Sequence, residues 1–137
     1  MPVSVSVDHT RQVVHTEASG LFTYDDVMRH LCEERNVGGI AYREILDATH
    51  ATAAFDGASL LQLVDLIRLI AHREAFGPTA VIVADDVSYG MVRMLGILVE
   101  DVCDIRPFRP AEWSAADAWV ATARIRGKGA IVSQSIE

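Results

Sequence analysis

Three side chains follow predicted strands at positions where acid–base chemistry could take place. Asp47 ends a predicted strand at 42–47 and His50 follows it, and Asp85 comes after the apolar run at 79–84. Ligands collect outside the carboxyl ends of parallel strands, where a carboxylate beside an imidazole could move a proton. However, Asp85 also stands where a helix N-cap belongs, and Asp47 can end a strand through an Asx-type turn. These local structural roles are the favoured interpretation, so the sequence predicts a non-enzymatic protein. An enzyme that uses Asp47, His50 and Asp85 is the remote alternative.

The histidines, cysteines and glycines form no pattern typical of a metal or cofactor site. The five histidines lie on different predicted elements, and no two of them have the spacing with which neighbouring side chains share a metal ion. The two cysteines are far apart in the chain. The glycine pair at 38–39 precedes a strand, whereas a phosphate-binding loop needs glycines between a strand and a helix. The sequence therefore predicts no metal ion and no cofactor.

The apolar periodicity predicts the elements that would position these residues. Strands are predicted at 3–7, 12–18, 42–47, 79–84 and 104–108, and helices at 23–34, 59–75, 87–100 and around 113–119. Gly20 is expected to end the second strand, and the small residues at 48–55 to form a loop. Strands linked by single helices lie parallel, while the first two strands form an antiparallel pair. The order β-β-α-β-α-β-α-β-α thus predicts an α/β fold with a mixed, mostly parallel five-stranded sheet.

Length and composition indicate one compact domain at 1–126 and a tail at 127–137. A chain of 137 residues, half of them apolar, can bury a sufficient core. The net charge of −7 arises entirely within residues 1–100, and such an acidic body repels phosphate backbones. The sequence therefore predicts no nucleic-acid binding. Because it shows neither a secretory signal nor an apolar stretch long enough to span a membrane, it predicts a cytoplasmic location.

The predicted helix at 59–75 carries more apolar surface than a core requires. One broad stripe faces the sheet, and Leu61, Leu66 and Leu69 fall outside it. A helix that is apolar on its outer side is often covered by another protomer, a protein partner or a bound apolar molecule. An earlier helix or a loop could equally cover these leucines.

The predicted helix at 87–100 presents a different surface. Val87, Met91, Met94, Leu95 and Leu98 are expected to form its core stripe. On the opposite side it shows Tyr89, Arg93 and Gly96. A glycine inside a helix costs about 1 kcal/mol relative to alanine, so Gly96 indicates the close approach of another backbone or of a ligand. The three residues are predicted, with the three leucines, to form a partner or ligand surface.

Several stretches, taken with the order of the elements, resemble a known bacterial group. They are YREILD at 42–47, AVIVADDVSYGMVRM at 80–94, and IRPF at 105–108 followed by ADAW at 116–119. Together they resemble the STAS-like proteins, which are built like the anti-sigma-factor antagonist SpoIIAA and are distantly similar to the CRAL-TRIO lipid-binding fold. The resemblance covers about residues 3–121. It implies a SpoIIAA-like fold that binds a protein partner or holds an apolar molecule.

The resemblance also concerns phosphorylation. In STAS proteins that act as anti-sigma antagonists, the phosphorylated serine lies in an Asp-Ser-Ser-Gly-type turn that opens the helix after the third strand. The matching turn here is DGAS at 56–59, in which Gly57 and Ala58 replace the serines and Ser59 is displaced beyond them. Ser59 is therefore the candidate for phosphorylation, but this departure favours its interpretation as a helix-start hydroxyl.

Two binding functions are consistent with these patterns. The leading hypothesis is a non-enzymatic STAS-like domain that binds a protein partner, or forms a homodimer, through the helices at 59–75 and 87–100. The alternative is a carrier or sensor of a small apolar, lipid-like ligand, which could associate with a membrane and would lodge the ligand between those helices and the sheet.

Overall fold

The computed structural model describes residues 3–127. In chain order the elements are β1 (Val3–Asp8), β2 (Val13–Thr23), α1 (Tyr24–Asn36), β3 (Arg43–Ala54), α2 (Gly57–Arg73), β4 (Ala75–Phe76), β5 (Thr79–Val83), α3 (Asp86–Leu98), β6 (Ile105–Phe108), α4 (Trp113–Thr122) and β7 (Arg126–Gly127). Five strands form one sheet in the order β1-β2-β3-β5-β6, and β4 pairs with β7. Only β1 runs antiparallel within the larger sheet. The predicted mixed, mostly parallel five-stranded sheet is therefore confirmed.

Helices cover both faces of this sheet. Successive side chains of a strand point to opposite faces. On β3, Leu46 joins the buried cluster beneath α1 and α3, whereas Ile45 joins the cluster formed with α4. Helix α2 packs over the first of these faces through a stripe of buried residues. The stripe faces the sheet as predicted and consists of Leu60, Leu63, Val64, Ile67, Ile70 and Ala71.

The paired strands β2 and β3 are both longer than predicted. Gly20 does not end β2, and the segment at 48–55 is not a loop, because β3 continues to Ala54. Residues 19–23 of β2 pair in parallel with residues 50–54 of β3, which satisfies the backbone groups of this small-residue segment. Low intrinsic strand propensity is therefore outweighed by the pairing that the neighbouring strand offers.

A β-bulge interrupts the pairing of β2 with β3. Glu17 faces Asp47 in the register, but the next pair joins Ser19 to His50, so β3 contains an extra residue. The Asp47 carboxylate accepts hydrogen bonds from the backbone N–H of Thr49, at 3.0 Å, and from its hydroxyl, at 2.6 Å. Asp47 thus forms the predicted Asx-type contact, but it holds a bulge within the strand and does not end it.

Helices α1, α2 and α3 begin at side-chain caps, and Asp85 occupies the N-cap position that the sequence predicted. Thr23 and Asp26 form a reciprocal capping box at the start of α1. Asp56 accepts a hydrogen bond from the Ser59 N–H at 2.8 Å, and Asp85 accepts one from the Ser88 N–H at 2.8 Å. Each carboxylate satisfies a backbone donor that the first turn of a helix leaves without an intrahelical partner.

Helix α3 is rotated relative to the predicted orientation. Val87 and Met94, expected in its core stripe, are 72% and 53% exposed. Gly96, expected on the outer side, faces β6, and a Cβ atom built on it would lie 2.2 Å from the carbonyl oxygen of Ile105. Because apolar residues occur on both sides of α3, hydrophobicity alone does not decide its rotation. The close packing at Gly96 is the backbone contact that the sequence predicted, and it orients the helix.

The glycines of α3 provide a matched pair of substitutions. We expect Gly96→Ala to lower the free energy of unfolding by about 1 to 3 kcal/mol, because the new methyl group would overlap the β6 backbone. Gly90→Ala is expected to raise it by about 0.5 to 1 kcal/mol, because a Cβ atom at Gly90 meets nothing within 4 Å and alanine favours the helix. Urea unfolding of both variants would check this, and equal stabilities would contradict the packing described at Gly96.

The first residue of the predicted tail lies in a strand. Gly127 belongs to β7, where it pairs with Ala75 at a φ of +92°. A Cβ atom at this glycine would lie 2.5 Å from the carbonyl oxygen of Glu74, so the strand packs closely here. The rest of the predicted tail, 128–137, lies outside the described residues.

Candidate functional site

A cavity of about 120 Å³ lies between the sheet and the helices α1, α2 and α3. Most of its wall is apolar, and representative side chains from the sheet, α2 and α3 are Leu46, Val81, Leu63, Ile67, Val92 and Leu95. An apolar cavity of about 150 Å³ in another protein holds benzene. The space here is therefore suited to a guest of about five or six heavy atoms, and a longer chain would require the helices to part.

Small residues on β3 leave this space open. Ala48 and Ala51 both line the cavity, although they are three residues apart on a strand. Side chains alternate between faces with a period of two, so an uninterrupted strand would send them to opposite sides. The bulge beside Asp47 shifts the alternation and brings both methyl groups to the cavity. One larger side chain at either position would fill much of it.

A buried polar cluster interrupts the apolar wall. His30 and Glu34 lie one turn apart on α1, and Glu44 faces them from β3. The Nε2 atom of His30 is 2.9 Å from a Glu34 oxygen and 2.7 Å from a Glu44 oxygen. Thr16 on β2 donates its hydroxyl hydrogen to Glu44 at 2.6 Å. The side chains of His30, Glu34 and Glu44 are only 4 to 6% exposed, so solvent does not screen their interactions.

The cluster shifts the pKa values of its members in opposite directions. Burial alone would lower the pKa of His30, but hydrogen bonds to Glu34 and Glu44 outweigh it and raise this pKa to about 10. Burial, together with repulsion from Glu44, raises the pKa of Glu34 to about 8 against the opposing effect of His30. Burial would raise the pKa of Glu44 as well, but hydrogen bonding to His30 and its positive charge lower it. At neutral pH the cluster therefore holds an imidazolium, an ionised Glu44 and a protonated Glu34.

One polar atom of the cluster has no partner. The Nδ1 atom of His30 is buried and makes no hydrogen bond to any other residue within 3–127. His30 itself belongs to the cavity wall. A buried polar atom without a partner is unusual in folded proteins and indicates a missing water molecule, ion or ligand.

The same three side chains are of types that can bind a metal ion. Among the described residues, the possible ligand atoms of His30, Glu34 and Glu44 all lie within 4.8 Å of one another. An imidazole and two carboxylates are ligands that zinc and related ions accept. However, the hydrogen bonds within the cluster already account for this arrangement, and the absence of a metal stays a prediction from the sequence.

The residues of the enzymatic alternative have local structural roles. Asp47 holds the bulge of β3, and Asp85 caps α3 with hydrogen bonds from both the N–H and the hydroxyl of Ser88. His50 is exposed on β3. No hydrogen bond joins any two of these three side chains in the part of the chain that the structure describes.

The six residues predicted to bind a partner or ligand do not form one surface. Leu61 and Leu69 are 58% and 51% exposed on α2, whereas Leu66 is partly buried and packs against the core. The other three residues belong to α3 but have different surroundings. Tyr89 lies beneath the guanidinium group of Arg109, while Arg93 and Gly96 line a groove between α3 and β6.

Ser59, the predicted phosphorylation candidate, lies in the first turn of α2. Its backbone N–H donates to the Asp56 cap at 2.8 Å. Asp56 is an N-cap in its own right, which fits the interpretation of this turn as a helix start. Phosphorylation of Ser59 stays a prediction.

The sequence reasoning missed the His30–Glu34–Glu44 cluster, although signals were present. His30 and Glu34 are spaced i, i+4, which places both on one helix face. This face also contains Leu31, which is buried. Glu44 lies two residues before Leu46 within a predicted strand, so the alternation places it on the same face as that leucine. Three ionisable residues at inward positions were the available signal.

Comparisons with known proteins identify the fold. No protein-family model matches the chain, and no curated protein matches it either. Among solved structures, it is similar to an uncharacterized protein of the DUF3478 family with a SpoIIAA-like fold from Shewanella loihica. The TM-score is 0.56 at 14% sequence identity, and the match covers 86% of this chain and 93% of the other. The fold is therefore SpoIIAA-like, as the sequence resemblance implied.

A search of the described residues for membrane-spanning segments found no helix with the length and apolar character needed to cross a bilayer. This agrees with the sequence, in which charged residues interrupt the longest apolar stretch.

Proposed function

We propose that this protein binds a small, mainly apolar molecule in the cavity between the sheet and α1, α2 and α3, and acts as its carrier or sensor. The observation that carries the proposal is the cavity itself, whose wall is apolar except near His30, Glu34, Glu44 and a few other polar groups. Such sites typically combine an apolar lining with a small number of placed polar groups. The proposal is non-enzymatic, which is supported by the structural roles of Asp47 and Asp85.

The energetic cost of the cavity supports a guest. Protein interiors are close-packed, and voids larger than a water molecule are few. Apolar wall atoms that face an empty space lose their dispersion contacts, and a larger residue at Ala51 would restore many of them. A bound apolar molecule would restore the lost contacts, so we infer that the space serves binding.

A titration with methylenecyclopentane, a six-carbon hydrocarbon, tests the proposal. We expect saturable shifts of the methyl NMR resonances of Leu46, Leu63 and Leu95, which line the cavity. The variant Ala51→Leu should weaken this binding by about tenfold or more, because the new side chain occupies the same space. Ala54→Leu is the matched control, because it makes the same change at an exposed position of β3. Binding that is equal in both variants, or absent in the native protein, would contradict the proposal.

A second candidate function is the docking of a protein partner or of a second copy of the chain. It is favoured by exposed apolar side chains on the outer sides of α2 and α3. These are Leu61 and Leu69 on α2 and Met94 and Ile97 on α3, each more than half exposed. Exposed apolar side chains mark an interaction site where they form a contiguous patch, and Leu61 and Leu69 lie about two turns apart on one helix.

Substitutions on α2 test whether this surface forms a homodimer. The double variant Leu61→Glu with Leu69→Glu is expected to be monomeric in native mass spectrometry, where the native protein is expected to be dimeric. Charges buried in an interface without partners cost several kcal/mol. Gln62→Glu with His72→Glu is the matched control, since both positions are exposed on the same helix. A dimer that survives the leucine substitutions would rule out this surface as the interface.

A further inference from the structure

We propose that the molecule bound in the cavity is uncharged and carries a carbonyl or similar oxygen, which accepts a hydrogen bond from Nδ1 of His30. This inference rests on the proposed function, because it requires that the cavity holds a guest. It adds the chemical class of that guest, namely a small neutral ketone, ester, amide or related molecule.

The hydrogen bonds of His30 indicate which nitrogen atoms carry hydrogen. Nε2 lies within hydrogen-bond distance of oxygens from both Glu34 and Glu44, so Nε2 donates a hydrogen. The negative charge of Glu44, 2.7 Å from the imidazole, favours its charged form. In the imidazolium the second nitrogen, Nδ1, also carries a hydrogen. The unpartnered atom is therefore a donor and requires an acceptor.

The acceptor for Nδ1 must come from the guest or from a water molecule. Nδ1 is buried without a partner among residues 3–127, and His30 forms part of the cavity wall. Leaving a charged donor unpaired in an apolar environment is more costly than leaving a neutral one. A guest that brings an oxygen to this point removes that cost, whereas a hydrocarbon would leave it in place.

The charges of the cluster select a neutral guest. The positive charge of His30 is already balanced by Glu44, and a second carboxyl group from Glu34 lies beside them. An anionic guest would add negative charge to this desolvated group, and a cationic guest would place its charge beside the imidazolium. Either charge would be buried without a free partner, which is strongly unfavourable. The oxygen of a neutral guest accepts the hydrogen bond from Nδ1 without burying a further charge.

Two probes of nearly identical shape test the inference. Cyclopentanone and methylenecyclopentane both have six heavy atoms and differ in an oxygen replacing a CH₂ group. We expect cyclopentanone to bind the native protein at least as tightly as the hydrocarbon and to shift the ¹⁵N resonance of His30 Nδ1, which the hydrocarbon should leave unshifted. In a site without a donor, the ketone would bind about tenfold or more weakly, because its oxygen would lose its hydrogen bonds to water.

The outcomes separate this inference from the proposed function. If the hydrocarbon binds while the ketone binds tenfold more weakly, or leaves Nδ1 unshifted, a water molecule satisfies Nδ1. That result would overturn the inference and leave the proposed function standing. If neither probe causes saturable shifts of the cavity methyl groups, the proposed function fails, and the inference fails with it. Both probes act on the unaltered protein, so no substitution that impairs folding affects the result.

Discussion

Replacing Glu44 with alanine is expected to lower the free energy of unfolding by about 1 to 3 kcal/mol. The carboxylate of Glu44 accepts hydrogen bonds from Thr16 and His30, and its side chain is 6% exposed. Its removal leaves the imidazolium of His30 with Glu34 alone and leaves the Thr16 hydroxyl without its acceptor. Urea unfolding monitored by circular dichroism would measure the change.

The control for this substitution is Glu33→Ala, at an exposed position of α1. It is expected to change stability by no more than about 0.5 kcal/mol. A loss below about 1 kcal/mol in Glu44→Ala would mean that the cluster does not form as described, since a buried donor left without its acceptor normally costs at least that much.

Replacing the whole cluster should have a different effect. In the triple variant His30→Leu, Glu34→Leu and Glu44→Leu, no buried charge remains without a partner. Replacing buried ionic groups by apolar side chains of similar volume is often neutral or stabilising. We therefore expect the triple variant to be more stable than Glu44→Ala and to differ from the native protein by no more than about 1 to 2 kcal/mol, the cost of the Thr16 hydroxyl that loses its acceptor. That result would indicate that the cluster serves binding rather than stability.

Raising the pH from about 6.5 to about 9 is expected to lower the free energy of unfolding by roughly 2 to 4 kcal/mol. The pKa of His30 is raised from 6.5 to about 10 and that of Glu34 from 4.5 to about 8. A group whose pKa is higher in the folded than in the unfolded protein stabilises the fold fully below its unfolded pKa. This stability is lost as the pH rises from the unfolded pKa through the folded pKa. Both groups therefore lower the free energy of unfolding as the pH rises across this range.

The triple leucine variant is the control for this pH dependence, because it lacks both titrating groups. Its stability should change much less over the same range. The measurement should stop near pH 9, because burial raises the pKa of Cys103 from 9.0 to about 12 and adds a separate loss at higher pH. A native stability that stays constant or rises between these pH values would show that His30 is not held in its charged form.

Much of the fold could be predicted because its elements have clear periods and caps. The short first strand, the apolar run of β5 and the cap at Asp85 are local signals, and all of them lie where predicted. The second half of β3 could not be predicted locally, since its small residues become a strand only by pairing with β2. The rotation of α3 depends similarly on the contact between Gly96 and β6.

The candidate site was harder to predict because it is assembled by tertiary structure. The periodicity predicted the first helix but did not indicate that His30 is buried on it beside Leu31. The i, i+4 spacing of His30 and Glu34 could have been read as a pair on the inward face of this helix. Their meeting with Glu44 depends on how α1 crosses the sheet, which no local pattern specifies. The cavity depends on the bulge in β3, which is equally a product of pairing.

The central claim is that the space between the sheet and α1, α2 and α3 accepts a small apolar guest. Diffraction from crystals held under xenon gas tests it most directly, because xenon enters dry apolar cavities of this kind. The account predicts an anomalous peak in contact with Leu46, Leu63 and Leu95 in the native protein, and its loss in Ala51→Leu. Native crystals with no xenon there, and with side chains closed over the space, would contradict the account.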